Sequence, residues 1–263
     1  MNPALSIVIA VKDCFSETKS FLDSLKQYAP SINYEVILVD DCSGEETQTF
    51  LNQYGETHGF CLVRNPVNKG FAFSCNRGAA SAKGRWLMFL NNDLLLMKNW
   101  FEPFLKVING RTRLKKPGLI GNIQIDPRTD KIDHAGVQFV TPYPSHYLEG
   151  SDQFPRKNFS RFLAVTAACV MIRRDLFLKV GGFDESYRTG YEDTDLCLRL
   201  RMLGFCHYVA NKSRVYHKRE SSPGRHTYSA QNTRLFMGRW GRVMSRLDDW
   251  DRAFLSISRT ILD

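Results

Sequence analysis

Three short segments of this chain carry side chains whose types and spacing suit chemistry. The first is Asn91-Asn92-Asp93, where the apolar run Trp86, Leu87, Met88, Phe89, Leu90 stops in three small polar residues. In an open α/β sheet the ligand crevice lies beyond the carboxyl ends of the strands, so a strand that finishes this way offers hard oxygen ligands to a divalent cation or a phosphate. Asn and Asp are equally suited to turning the chain or capping the next helix, and the motif alone leaves both uses open. The second is Glu192-Asp193-Thr194-Asp195, followed by Leu196, Leu200 and Leu203 at helical spacing and by Gly204 as a stop, which puts three acids in the first turn of a helix. Carboxylates there oppose the helix dipole without any catalytic role, yet three in four residues exceed what capping needs. A carboxylate kept ionised by a helix N-terminus is suited to take a proton from a hydroxyl at neutral pH. The third is Arg214-Val215-Tyr216-His217-Lys218, a short strand ending in one of six histidines. An isolated histidine is more often a satisfied core or surface residue than a ligand.

The elements that must position these groups are legible in the pattern of apolar residues. Residues 5–11 and 34–39 have the composition of buried strands, the second ending in Asp40-Asp41. Between them, residues 16–29 place Phe21, Leu22, Leu25, Tyr28 and Ala29 on one helical face. Ser43 and Glu46 have the spacing of a capping box opening a helix that packs through Phe50, Leu51 and Tyr54. Strand, helix, strand, helix predicts an α/β fold: a Rossmann-like, mostly parallel central sheet with helices on both faces. A dinucleotide-binding variant would need a glycine-rich turn after the first strand, and here that turn is Lys12-Asp13-Cys14-Phe15. No Gly-Lys-Ser/Thr follows any strand either, so a bound nucleotide would need another device to neutralise its phosphates, and a divalent ion on Asp93 supplies one.

Composition bounds the rest. At 263 residues, with 43% hydrophobic and 24% charged, the chain can bury one large core. It has no apolar run of membrane-spanning length and no charged-then-apolar leader, and its seven cysteines are scattered without a Cys-x-x-Cys pair, so reduced thiols in a cytoplasmic protein are expected. The formal charge of +9 draws on a late run of Lys212, Arg214, Lys218, Arg219, Arg225, Arg234, Arg239, Arg242 and Arg246. Without a recognisable nucleic-acid module these cations are expected to form a dispersed surface or to meet phosphates of a donor or of a lipid-linked acceptor at the inner membrane face, with no nucleic acid as partner. A single domain is expected, with residues 1–95 as a nucleotide-binding half, 96–220 as an acceptor-binding half and 221–263 as a helical extension. In that extension Trp240, Val243, Met244 and Leu247 share a face that either packs on the core or meets a partner or membrane. Residues 141–157, broken by prolines, are expected to form a long loop over the site.

The ordered set SIVIAVKD at 6–13, LVDDCS at 38–43, NPVNKG at 65–70, NRG at 76–78, FLNND at 89–93, GGFDE at 181–185 and YEDTDLCLR at 191–199 strongly resembles the family 2 glycosyltransferases, over roughly residues 5–220. The likeness is to rhamnosyltransferases and related inverting enzymes. The resemblance implies a GT-A fold and transfer of a sugar from a UDP- or dTDP-linked donor to a hydroxyl of a glycan or lipid-linked acceptor, with inversion. It places the catalytic base on Asp193, with Glu192 positioning the acceptor or the base and Asp195 structural. It makes His217 the partner of Asp93 in holding a divalent cation, manganese or magnesium. It brings Ala10, Val11, Asp13, Asn68, Gly70, Asn76, Asn91 and Asn92 to the nucleotide-sugar, and Asp40 or Asp41 is chemically fit to accept from a base N–H or a ribose hydroxyl. Two departures stand out: Ala10 where the family often has proline, and Asn91 where it often has a second acid. A sugar-phosphate nucleotidyltransferase and a non-catalytic glycan-binding homologue are the competing expectations.

Overall fold

In a computed structural model, residues 2–140, 143–219 and 227–259 are described, with side chains in the last helix described as far as Met244. The chain opens with β1 (Leu5–Val11), α1 (Phe15–Gln27), β2 (Tyr34–Asp40), α2 (Glu45–His58), β3 (Cys61–Arg64), α3 (Phe71–Ser81) and β4 (Trp86–Leu90). Four parallel strands result, with β1 between β2 and β4 and β3 outside β2. Then come β5 (Leu94–Leu96), α4 (Glu102–Ile108), β6 (Pro117–Ile125), β7 (Ile132–His134), β8 (Val137–Val140) and β9 (Tyr143–His146). They are followed by β10 (Phe159–Phe162), β11 (Cys169–Arg173), α5 (Arg174–Lys179), α6 (Glu192–Met202), β12 (Cys206–His217) and α7 (Ser229–Arg259). One ten-stranded sheet takes strands from both halves of the chain in the order β10-β12-β6-β11-β4-β1-β2-β3, with β5 added to β12 and β7 to β6.

Period-two alternation in the strands divides the core into two layers. Val8, Ile37, Val39, Leu87 and Phe89 face α3, α5 and α6, where Cys75, Ala79, Phe177 and Leu196 meet them. Ile7, Ile9, Leu38, Met88 and Leu90 face α1, α2 and α4, through Phe21, Leu22, Leu51, Trp100 and Phe104. Both faces of the parallel strands are therefore covered, which is why their sequences are almost continuously apolar. All seven cysteines are free thiols. Among the described residues no helix is long and apolar enough to cross a membrane.

Two local expectations are corrected and one left open is decided. The N-cap of α2 is Gly44, with no side-chain cap, because Ser43 is occupied elsewhere: its hydroxyl accepts the Asp13 N–H at 2.9 Å and its own N–H goes to Asp40 Oδ1 at 2.8 Å. Residues expected to form a long loop instead include β9, paired antiparallel with β8; Thr141 and Pro142 of that stretch lie outside the described residues. The apolar face of α7 packs on the core as far as it is described, since Phe236, Trp240 and Met244 join Tyr187 and Leu198 in a buried cluster. Leu247 of that expected face lies beyond the described side chains.

β12 also buries a histidine that bears on stability. His207 is fully enclosed, its Nδ1 accepting the Leu119 N–H at 3.0 Å and its Nε2–H donating to the Cys197 carbonyl at 2.9 Å. Burial dominates and lowers its pKa to about 4. The unfolded chain, with an ordinary imidazole, takes up a proton first as pH falls, so the stability contribution is complete above about pH 6.5 and is lost towards pH 4. Urea unfolding at pH 7 and pH 4.5 should therefore show a loss to which His207 contributes about 2 kcal/mol, and His207→Gln should flatten that pH dependence.

Candidate active site

The three segments singled out by their chemistry converge on the carboxyl edge of the sheet. β4 ends at Leu90, and the Asn91 N–H is held by the Ala168 carbonyl at 2.8 Å just before β11 begins. The chain turns through Asn92, whose amide donates to Thr18 Oγ1 at 2.8 Å, and enters β5. Because β5 pairs antiparallel with the last residues of β12, with Leu94 opposite His217, the side chains of Asp93 and His217 are brought together. His217 Nε2 stands 3.4 Å from Asp93 Oδ1, and both groups are buried. Neither atom has a hydrogen-bond partner. Leaving two such groups unsatisfied is costly unless something charged lies between them, so the pair fits a divalent cation. Among the described residues no three His, Cys, Asp or Glu side chains converge on one point, in keeping with Asn91 standing where a second acid would.

Sequence reasoning missed Asp133. It comes from β7, which pairs with β6 beside the end of β12, and its Oδ2 lies 3.5 Å from His217 Nδ1. Arg219 Nε holds the same oxygen at 2.8 Å, while its NH1 reaches Glu149 at 2.8 Å. A carboxylate on one imidazole nitrogen fixes the ring and directs the other nitrogen to a metal, which is how ligating histidines are usually oriented. Burial acts to depress the His217 pKa, but Asp133 and Asp93 outweigh it and raise it. No sequence signal short of the strand pairing joins residue 133 to residue 217.

The acidic turn stands at the N-terminus of α6. Tyr191 is its N-cap, in the left-handed region at φ 74°, stacked against Phe236 with ring centroids 4.7 Å apart. Asp193 is half-buried, and its Oδ2 accepts the Ala167 N–H at 3.0 Å while Oδ1 accepts the Thr194 N–H at 2.6 Å. Ala167 and Ala168 therefore link the acidic turn to Asn91 through adjacent residues. Glu192 is buried, and its charge is felt at the Cys75 thiol, which burial and then Glu192 and Asp41 push well up in pKa. Asp195 is wholly enclosed and points the other way. Arg199 holds it at 2.7 Å, and from α7 Arg239 and the Trp240 indole N–H each reach it at 2.8 Å. Arg199 also donates to the Val180 and Gly182 carbonyls, tying the turn at 181–182 to the same carboxylate.

On the nucleotide side, several expected contacts are turned to the protein itself. Asp40 is fully buried, its oxygens taken by the Ser43 N–H and Arg64 Nε, so it is not open to a base or ribose. Asp41, nearly as buried, accepts from Asn65 Nδ2 and the Lys69 N–H on one oxygen and from the Gly70 N–H on the other. It thereby shapes the loop containing Asn68 and Gly70. Gly70 has φ 88°, and a Cβ there would lie 2.7 Å from the Arg188 carbonyl. The Asn76 carboxamide is likewise spent, donating to the Phe183 carbonyl at 2.8 Å and accepting the Phe183 N–H at 2.9 Å. Asp13 receives Lys12 and the Gly44 N–H; burial acts to raise its pKa, but these partners bring it below the usual value. Ala10 is half-buried at the end of β1, and the Val11 carbonyl accepts the Asp41 N–H at 2.8 Å. In the basic late segment, Arg219 and Arg239 are consumed by internal carboxylates and Arg214 lies over the Phe154 ring. Arg225 and the side chain of Arg246 fall outside the described residues.

A mixed central sheet with a parallel N-terminal half and helices on both faces is a GT-A-like fold. The chain belongs to glycosyltransferase family 2: the family described as Glycosyl transferase family 2 matches residues 6–181. An uncharacterised glycosyltransferase of Haemophilus influenzae is 30% identical over 231 residues, covering 86% of this chain and 73% of that one. The O-antigen biosynthesis protein RfbC of Myxococcus xanthus is 29% identical over 233 residues, 84% of this chain but only 18% of its own length. Among solved structures, GalNAc-T7 with UDP, GalNAc and Mn2+ superposes with a TM-score of 0.67 at 20% identity, over 82% of this chain and 44% of that one. The mannosyltransferase PcManGT of Pyrobaculum calidifontis, with GDP-Man and Mn2+, gives 0.62 at 15% identity, over 88% and 61%. These two likenesses are of fold.

Two outcomes test the geometry. Arg239→Met should destabilise the protein by about 3 kcal/mol in urea unfolding, because it removes one of the cations facing a wholly buried carboxylate. Asp133→Asn should weaken manganese affinity at least about tenfold by calorimetry with the far-ultraviolet circular dichroism unchanged, the usual range for loss of an outer partner of a ligating histidine.

Proposed function

We propose that this protein transfers a sugar from a UDP- or dTDP-linked donor to a hydroxyl of a glycan or lipid-linked acceptor, with inversion at the anomeric carbon. The observation that carries the reading is the pair of buried, unpartnered atoms Asp93 Oδ1 and His217 Nε2, set beside the acidic turn. Both named structural relatives hold a nucleotide or nucleotide sugar together with Mn2+, which supports the assignment of that pair. A manganese or magnesium ion on Asp93 and His217 would offset charge on the departing nucleoside diphosphate.

The residues of the chain would do the remainder. Asp193 takes the proton of the acceptor hydroxyl as that oxygen bonds to the anomeric carbon and the carbon–oxygen bond to the diphosphate breaks. The N–H groups of Ala167 and Thr194 fix the orientation of its carboxylate. Glu192, enclosed beside it, positions the acceptor. The loop shaped by Asp41, carrying Asn68 and Gly70, and the turn at Lys12 and Asp13 border the nucleotide. Asn91 and Asn92 hold the strand end that carries Asp93.

Donor affinity and transfer rate, measured separately across a panel of nucleotide sugars, test these roles. Asp193→Asn should keep donor affinity and lose transfer by at least about a hundredfold, since a base acts only in the transition state. Asp93→Ala should abolish the metal-dependent part of nucleoside diphosphate binding. Near-parental turnover in Asp193→Asn with collapse in Glu192→Gln would move the base one residue upstream.

A further inference from the structure

The end of the sheet opposite the candidate active site gathers cations that the carboxyl edge does not use. β6, β11 and β4 are neighbours in the sheet, and at this end they carry Lys116 just before β6, Arg173 at the end of β11 with Arg174 opening α5, and Arg85 just before β4. The Arg174 N–H bonds the Arg85 carbonyl at 3.0 Å, and the Cys206 N–H bonds the Lys116 carbonyl at 2.9 Å, so these positions lie side by side. Lys83, Arg111, Arg113 and Lys115 extend the row in the flanking segments and are exposed, as are Arg85 and Lys116. Two acids at this end are already engaged, Asp175 with Arg173 and Glu35 with the Ser6 hydroxyl and the Lys83 N–H.

A second observation narrows the partner. Met202 and Leu203 are 67% and 59% exposed, the most open large apolar side chains among the described residues. Met202 ends α6 and Leu203 follows it in the turn into β12, whose first residue, Cys206, bonds Lys116. Cations at the same end of the sheet as a projecting apolar pair suit a surface that is anionic outside and hydrocarbon within, whereas nucleic acid would reward the cations and leave Met202 and Leu203 in water.

We propose that this end of the sheet is a docking face for an anionic phospholipid bilayer. Contact electrostatics come from the row around Arg85, Lys115 and Lys116, and Met202 and Leu203 enter the interfacial region. The face lies one strand length from the site; the nine residues of β6 span about 30 Å, so a docked molecule holds its catalytic edge that far from the lipid headgroups. The acceptor hydroxyl it serves is then one carried well clear of the bilayer, as at the growing end of a glycan.

Co-sedimentation of the full chain with vesicles tests the proposal without any donor or acceptor, so its outcome is separate from that of the transferase assays. Phosphatidylcholine vesicles containing phosphatidylglycerol should bind the protein, more weakly as salt rises, and phosphatidylcholine alone should bind it poorly. The variant Arg85→Gln/Lys115→Gln/Lys116→Gln should bind about a hundredfold more weakly, taking about 1 kcal/mol for each cation removed. Met202→Asp/Leu203→Asp should also lose binding, with nucleotide affinity and thermal midpoint kept in both variants. Absence of binding to the anionic vesicles, or equal binding by the charge variant, overturns the proposal, as does tight binding to a nucleic acid with none to lipid.

Discussion

The last turn of hydrogen bonds between β12 and β5 holds the candidate site together. β12 runs 12 residues from the opposite end of the sheet, parallel to β6, and only its final residues meet the short strand that follows Asn91-Asn92-Asp93. That pairing places a histidine from residue 217 against a carboxylate from residue 93, and β7 adds Asp133 from behind. The large buried β-sheet thus acts as a positioning device: its core fixes the strand ends to within the tolerance a ligand pair needs, and the polar groups at those ends are few.

A second constraint is local. Asp13, Cys14 and Tyr191 adopt positive φ without being glycine, the first two in the turn after β1 and the third just before the acidic helix. Such conformations cost free energy and persist where the surroundings over-determine them. Here the surroundings are explicit. Asp13 is gripped by Ser43, Gly44 and Lys12, and Tyr191 by its stack on Phe236 and by the Asp195 N–H on its carbonyl.

The sequence was most informative where periodicity and strand-end chemistry coincide. β1, β2, β4 and α6 follow from apolar spacing, and Asp93 stands out because it ends an apolar run with a carboxylate, whereas Asp193 among three acids and His217 among six histidines were picked out only by the resemblance to family 2 glycosyltransferases. What did not follow was set by long-range pairing. The capping role expected of Ser43 was lost to Asp13, 30 residues away, and Asn76 spends its amide on a turn 107 residues later. Asp133 carries no mark in the sequence, because its significance arises only from β7 lying beside β6 and β12. The late basic run looked like one surface feature, yet Arg219 and Arg239 are spent on internal carboxylates and Arg214 lies over a ring, while Lys212 and Arg234 are exposed.

Asp195 lies in the first turn of α6 and is wholly enclosed. Its charge is met by Arg199 from its own helix and by Arg239, 44 residues further along the chain. During synthesis the acidic turn is made long before that second cation exists, so for an interval the nascent protein holds a carboxylate it cannot yet bury with both partners. The acidic turn and the final helix must therefore reach their places together for Asp195 to be enclosed with both of its cations.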